Sequence, residues 1–142
     1  MNGLHILAEL HGCACDASLM LESQALRRLC LAACAEAGLQ VVGEVFHGFG
    51  TREAPAGATG AVVLAESHLA VHTWPELDAV TLDLYVCNYS QDNRKAAETA
   101  FTKLAQAFMP GKTLRRDVER GAVRLTRPAA AQLPKAARGH KL

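Results

Sequence analysis

The stretch from residue 65 to 76, AESHLAVHTWPE, is where residue types and spacing promise chemistry. Glu66, Ser67 and His68 form a polar break between two apolar runs, which puts a hydroxyl in a tight connection. His68 follows Ser67 directly, and His72 lies further on, alternating with Val71 and Thr73 as on a strand. Cys87 ends the next apolar run, on the side that carries Asp83 and Tyr85. A hydroxyl, two imidazoles and a thiol can supply a nucleophile and proton carriers. Plainer readings exist for each: a hydrogen-bonded corner, a histidine packed beside Trp74, a structural cysteine. A serine or cysteine hydrolase site also fits these residue types. The nucleophile-elbow pattern GxSxG is absent around Ser67, and no acid–base triad is spelled out. Residue types alone leave these readings open.

The elements that must position these groups can be read from periodicity. Residues 4–11 alternate, with Leu4, Ile6, Ala8 and Leu10 on one face, as a half-buried strand does. From residue 23 to 37, Leu26, Leu29, Cys30, Ala33, Cys34 and Ala37 recur at helical spacing, and Gly38 follows as a stop. Residues 39–46 read as a strand. Residues 47–60, rich in Gly, Ala and Thr with a Pro, read as a loop. Residues 61–65 and 69–74 read as short strands, and residues 80–87 alternate as another. A helix capped by Asp92 then carries Ala97, Phe101, Leu104 and Phe108 to a stop at Pro110-Gly111. One or two short strands are expected over residues 112–125, and a disordered tail over 128–142. The expected fold is α+β: a two-layer sandwich of a mainly antiparallel sheet with helices on one face. The sheet's other face then needs cover, so association is expected. Residues 1–127 make a single domain on this reading.

Composition narrows the partners. The 142 residues carry a formal net charge of +1 and 5% aromatics, which disfavours nucleic-acid capture and base stacking. No apolar run is long enough to span a bilayer, and the start MNGLHILAELHGC lacks a signal peptide's basic region and apolar core, so a cytoplasmic protein is expected. The five cysteines, at 13, 15, 30, 34 and 87, show no CxxC pair and are expected as free thiols. His11, Cys13 and Cys15 would share a strand face, but no second half of a zinc site follows, so no metal is expected.

ESHLAVHTWPE closely resembles the hallmark ESH-x-x-x-HTWPE of bacterial and archaeal S-adenosylmethionine decarboxylases. GLHILAELHGC is similar to the family's first strand, AACAEAGLQVV to its first helix and turn, and VFHGFG to the loop after it. DLYVC stands where the family has a DxFTC strand. The likeness runs over roughly residues 3–125.

The resemblance implies a proenzyme that cleaves itself between Glu66 and Ser67 into chains 1–66 and 67–142. Ser67 would attack the Glu66 carbonyl from a turn expected to hold backbone strain, and after elimination and hydrolysis would become a pyruvoyl group. That ketone would bind substrate as a Schiff base and serve as electron sink, with neither pyridoxal phosphate nor a metal. His72 matches the processing base, with Thr59 and His68 in support. Cys87 matches the proton donor of decarboxylation. Phe49 matches an aromatic that faces adenine, and Glu76 a carboxylate that binds ribose. In relatives these last two come from a partner subunit, so a homodimer with the site at its interface is implied. The product would be the aminopropyl donor of polyamine (spermidine) synthesis.

Three departures stand out. Thr59-Gly60 replaces the usual Ser-Gly, and threonine's extra methyl restricts χ1. The segment 50–58 is longer than in compact relatives by something like GTRE, next to Phe49. Asn88 follows Cys87 where relatives have Gly. They leave a second expectation open, a pyruvoyl-dependent decarboxylase of a free amino acid such as ornithine or arginine. A third is an unprocessed binding or regulatory homologue.

Overall fold

The computed structural model describes residues 2–121. Its elements are β1 (Gly3–His11), α1 (Ala17–Leu21), α2 (Ser23–Glu36), β2 (Val41–Gly50), β3 (Pro55–Leu64), β4 (His68–Trp74), a 3₁₀ turn (Pro75–Leu77), β5 (Ala79–Cys87), α3 (Arg94–Phe108) and β6 (Lys112–Arg120). The strands form one sheet in the order β2-β3-β4-β5-β1-β6, and every neighbouring pair is antiparallel. The expected α+β architecture is the one observed.

Strand alternation builds the core. Ile6 and Leu10 of β1, Val62 of β3, Leu69 and Val71 of β4, and Val80, Leu82, Leu84 and Val86 of β5 are buried. Onto that face α2 sets Leu26, Cys30, Ala33 and Cys34, and α3 sets Ala97, Ala100, Phe101, Leu104 and Phe108. Each fully buried Leu or Phe contributes about 1.5–3 kcal/mol. Burial pushes the Cys30 thiol up to about 12 and Cys34 up to about 11, which keeps both protonated and chemically quiet. Gly38, at φ 72°, ends α2 as its sequence position suggests, with Leu39 N donating to Cys34 O at 2.9 Å.

Two local expectations, a loop and a helix cap, are corrected, and one helix was not expected. Residues 47–60 are not a loop: β2 and β3 run through them as a hairpin whose tip is held by Thr51 N to Ala54 O at 3.1 Å. Small side chains conceal the strand in the sequence, while cross-strand pairing from Val45–Ala61 to Phe49–Gly57 stabilises it. Helix α1 was not expected; Asp16 caps it by accepting from Ser18 N at 2.9 Å. Of the one or two strands expected over residues 112–125, the described residues hold one, β6, paired along β1. Residue 93, not Asp92, holds the N-cap position of α3, while Asp92 Oδ1 accepts from Arg94 N at 3.0 Å. The tail expected over 128–142 lies outside the described residues.

Among the described residues no helix covers the second face of the sheet. Antiparallel register aligns Thr59, His72, Thr81 and Glu9 in one row across it, and Val63, His68, Tyr85 and His5 in another. Val45, Phe49, Val63, Trp74, Leu114 and Val118 are exposed. Among the described residues no helix is long and apolar enough to cross a membrane.

Candidate active site

Between β3 and β4 the chain reverses in a two-residue turn. Leu64 N donates to Ser67 O at 2.9 Å and Ser67 N to Leu64 O at 3.4 Å, leaving Ala65 and Glu66 at the tip. The Glu66–Ser67 peptide bond is therefore where the turn re-enters the sheet. Ala65 N donates to Gln40 O at 3.0 Å, and Ser90 Oγ donates to Glu66 Oε2 at 2.9 Å. Left-handed φ values occur at other residues and not at 65–67, so hydrogen bonds rather than a strained dihedral hold this turn, a correction to the expectation of backbone strain. A cavity of about 290 Å³ beside it is lined by Gly38, Gln40, Glu66, Ser67, Ser90 and Asn93, among others.

Ser67 and Cys87 come together. The Cys87 N–H donates to Ser67 Oγ at 3.1 Å, and Cys87 itself is buried at the end of β5. Buried Asn93 clamps the chain beyond it: Nδ2 donates to Cys87 O at 2.7 Å, and its N–H donates to Asn88 Oδ1 at 2.8 Å. Asn88 N in turn donates to Asn2 O at 2.6 Å. His68, next to Ser67, packs its ring 5.4 Å from Tyr85 and 6.1 Å from His5. Burial lowers the His5 pKa, with Asp83 opposing, which favours the neutral ring.

His72 and Thr59 stand elsewhere. They are cross-strand partners, and Thr59 Oγ1 and His72 Nδ1 share a hydrogen bond. His72 lies five positions beyond Ser67 along the chain, about 17 Å at the usual strand rise, beyond an imidazole's reach. Gly60, beside Thr59, has a steric reason: a Cβ there would lie 2.1 Å from the Phe46 ring. Thr73 fixes the same end of β4, donating to Met20 O at 2.7 Å and accepting from Ala58 N at 2.8 Å.

Phe49 and Glu76 lie further still from Ser67, beyond the His72 row. Phe49 pairs with Gly57, whose Cβ would lie 3.1 Å from Pro75 Cδ, and Glu76 follows Pro75 in the 3₁₀ turn. The sheet thus sorts the expected residues into two groups at its opposite ends. Glu66, Ser67, His68 and Cys87 form one, and Thr59, His72, Phe49 and Glu76 the other. Sequence reasoning missed Ser90, Asn93 and Tyr85 near the first group. Strand parity with Cys87 was a signal for Tyr85; the loop residues carried none.

Among the described residues no three or more His, Cys, Asp or Glu side chains gather as a metal site. Cys13 Sγ donates instead to Leu10 O at 3.7 Å, and burial pushes its thiol up to about 11.

Comparison with known proteins follows the same lines. Residues 4–121 match the family described as S-adenosylmethionine decarboxylase. The chain is 37% identical over 131 residues to the S-adenosylmethionine decarboxylase proenzyme of Picrophilus torridus, covering 89% of this chain and 93% of that one. It is 32% identical over 131 residues to the proenzyme of the same name from Moorella thermoacetica, covering 92% and 97%. The crystal structure of the adenosylmethionine decarboxylase from Aquifex aeolicus superposes with a TM-score of 0.73 at 33% identity, covering 85% of this chain and 92% of the other. With the ESH segment leading into β4 and the HTWPE segment closing that same strand, the chain belongs to the S-adenosylmethionine decarboxylase family.

Proposed function

We propose that the chain is a proenzyme that cuts its Glu66–Ser67 bond, converts Ser67 to a pyruvoyl group, and then decarboxylates S-adenosylmethionine. The observation that carries this is the placement of Ser67: it ends a hydrogen-bonded turn, and its hydroxyl accepts from the Cys87 backbone. In the cut, Ser67 Oγ bonds to the Glu66 carbonyl carbon as the peptide C–N bond breaks, giving an ester. Loss of the Ser67 α-proton expels the Glu66 carboxylate, and water then replaces nitrogen at residue 67, releasing ammonia.

The residues present fit the group that results. The Cys87 N–H is aimed at residue 67, donating to the hydroxyl that departs with Glu66, and the Cys87 side chain lies at the same strand end. When formed, the pyruvoyl group supplies the electron sink for loss of carbon dioxide, with no pyridoxal phosphate or metal. Cys87 gives its thiol proton to the substrate's α-carbon. Ser90 and Asn93 hold the chain around both residues.

The second group of residues acts from another copy of the chain. His72, hydrogen-bonded by Thr59, is the processing base, and Phe49 and Glu76 receive adenine and ribose. Their distance from Ser67 within one protomer supports this, as does the exposed apolar face that carries Val45, Phe49, Val63, Trp74, Leu114 and Val118. Packing two such faces about 10 Å apart with strands reversed sets the His72 end of one sheet over the Ser67 end of the other.

Carbon dioxide release from S-adenosylmethionine, ornithine and arginine, assayed in parallel, tests the substrate. The reading expects turnover of the first alone, and abolition of both cleavage and turnover by Ser67→Ala. Preferential release from either free amino acid overturns the substrate assignment.

A further inference from the structure

We propose that Tyr85 positions the proton donor: its hydroxyl donates a hydrogen bond to the Cys87 sulfur, aims the thiol, and stabilises the thiolate left after proton transfer. This rests on the reading of Cys87 as donor and adds to it a residue whose hydroxyl the DxFTC pattern lacks.

Gly3 shows where the phenol lies. It is the cross-strand partner of Cys87 on β1. A Cβ on Gly3 would lie 2.6 Å from Tyr85 Cε2 and 2.9 Å from its hydroxyl oxygen. The ring therefore runs along the strand from Tyr85 and fills the space Gly3 leaves. Directly opposed residues have Cβ positions about 4.5–5.5 Å apart, and Tyr85 shares its sheet face with Cys87 two residues on. The hydroxyl is thus set against the thiol.

The ring is fixed on several sides. The Arg120 guanidinium lies 4.6 Å over its centroid from β6, and the His68 and His5 rings stand 5.4 and 5.9 Å away. Burial, and after it the contact with Cys87, hold the phenol above its ordinary pKa, with Arg120 opposing, so it remains a donor.

The step balances without a further reagent. A C–H bond forms at the α-carbon as the S–H bond breaks, and the S–H electron pair stays on sulfur. The Tyr85 O–H bond remains intact and donates to the anion. Water restores the thiol proton when product leaves.

A ring that merely filled the gap over Gly3 would be replaced by phenylalanine without loss, so Tyr85→Phe in the full self-cleaved protein separates the roles. The variant should cleave as the parent does and keep its KM, while kcat falls about tenfold, the effect of losing a hydrogen bond to a charged group. Alkylation of Cys87 by iodoacetamide at one fixed pH, followed on its own peptide by mass spectrometry, should slow several-fold. Parental kcat together with an unchanged or faster alkylation rate overturns the proposal. A parent protein that cleaves, yet keeps full turnover with Cys87→Ala, would instead remove the reading on which it rests.

Discussion

At Ser67 two kinds of contact meet: a turn that fixes its backbone, and a hydroxyl that accepts from the neighbouring strand. Neither supplies a base. The only side chain in hydrogen-bond contact with His72 among the described residues is Thr59, where the family pattern has serine. The hydroxyl fixes the ring, and the added methyl limits its rotamers. Removing the hydroxyl while keeping the shape, Thr59→Val, should slow self-cleavage by about ten- to a hundredfold, the scale of one lost proton-transfer aid. Thr59→Ser should cleave at least as fast as the parent. Time courses of the uncleaved fraction on a gel separate the two, and equal rates in all three proteins would show that the hydroxyl does not set the base.

Among the elements, β1, β4 and β5 were legible because one face of each is buried, so Leu4, Ile6, Leu10 and Val80 through Val86 alternate cleanly. Helices α2 and α3 were legible from their apolar stripes. The β2–β3 hairpin was not, because Gly48, Gly50, Ala56, Gly57 and Ala58 carry no strand signal and Phe49 faces outward. Ser67 and Cys87 were named from the resemblance, yet their meeting needed the register of β4 on β5. The separation of His72 from Ser67 was present in the spacing, since five positions along one strand cannot fold back on themselves. Gly60 belongs to this scale too, because it lets Phe46 lie across β3. Gly60→Ala should destabilise the protein by about 1–3 kcal/mol, lowering Tm by several degrees in thermal unfolding. Adding Phe46→Leu should recover part of that loss; an unchanged Tm in the single variant would mean that the ring moves aside freely.

For the molecule as a whole, a sheet on which the described helices cover one face leaves its expected site residues at opposite ends. In the proposed dimer a second copy would bring the ends together, which predicts complementation. A Ser67→Ala chain keeps His72 but lacks the attacking hydroxyl, and a His72→Ala chain keeps Ser67 but lacks the proposed base. Co-expressed, the two should yield cleaved His72→Ala chain, which neither produces alone. Absence of that fragment in a mixed dimer would place the base on the same chain as its target.

On the proposed function, the Glu66–Ser67 bond breaks by the chain's own chemistry and leaves a ketone. Intact-mass measurement of freshly purified protein, with no other component added, tests this most directly. Two chains are expected, residues 1–66 ending in an ordinary carboxylate and residues 67–142 beginning with a pyruvoyl group in place of serine. A single uncleaved chain that persists through long incubation would contradict it.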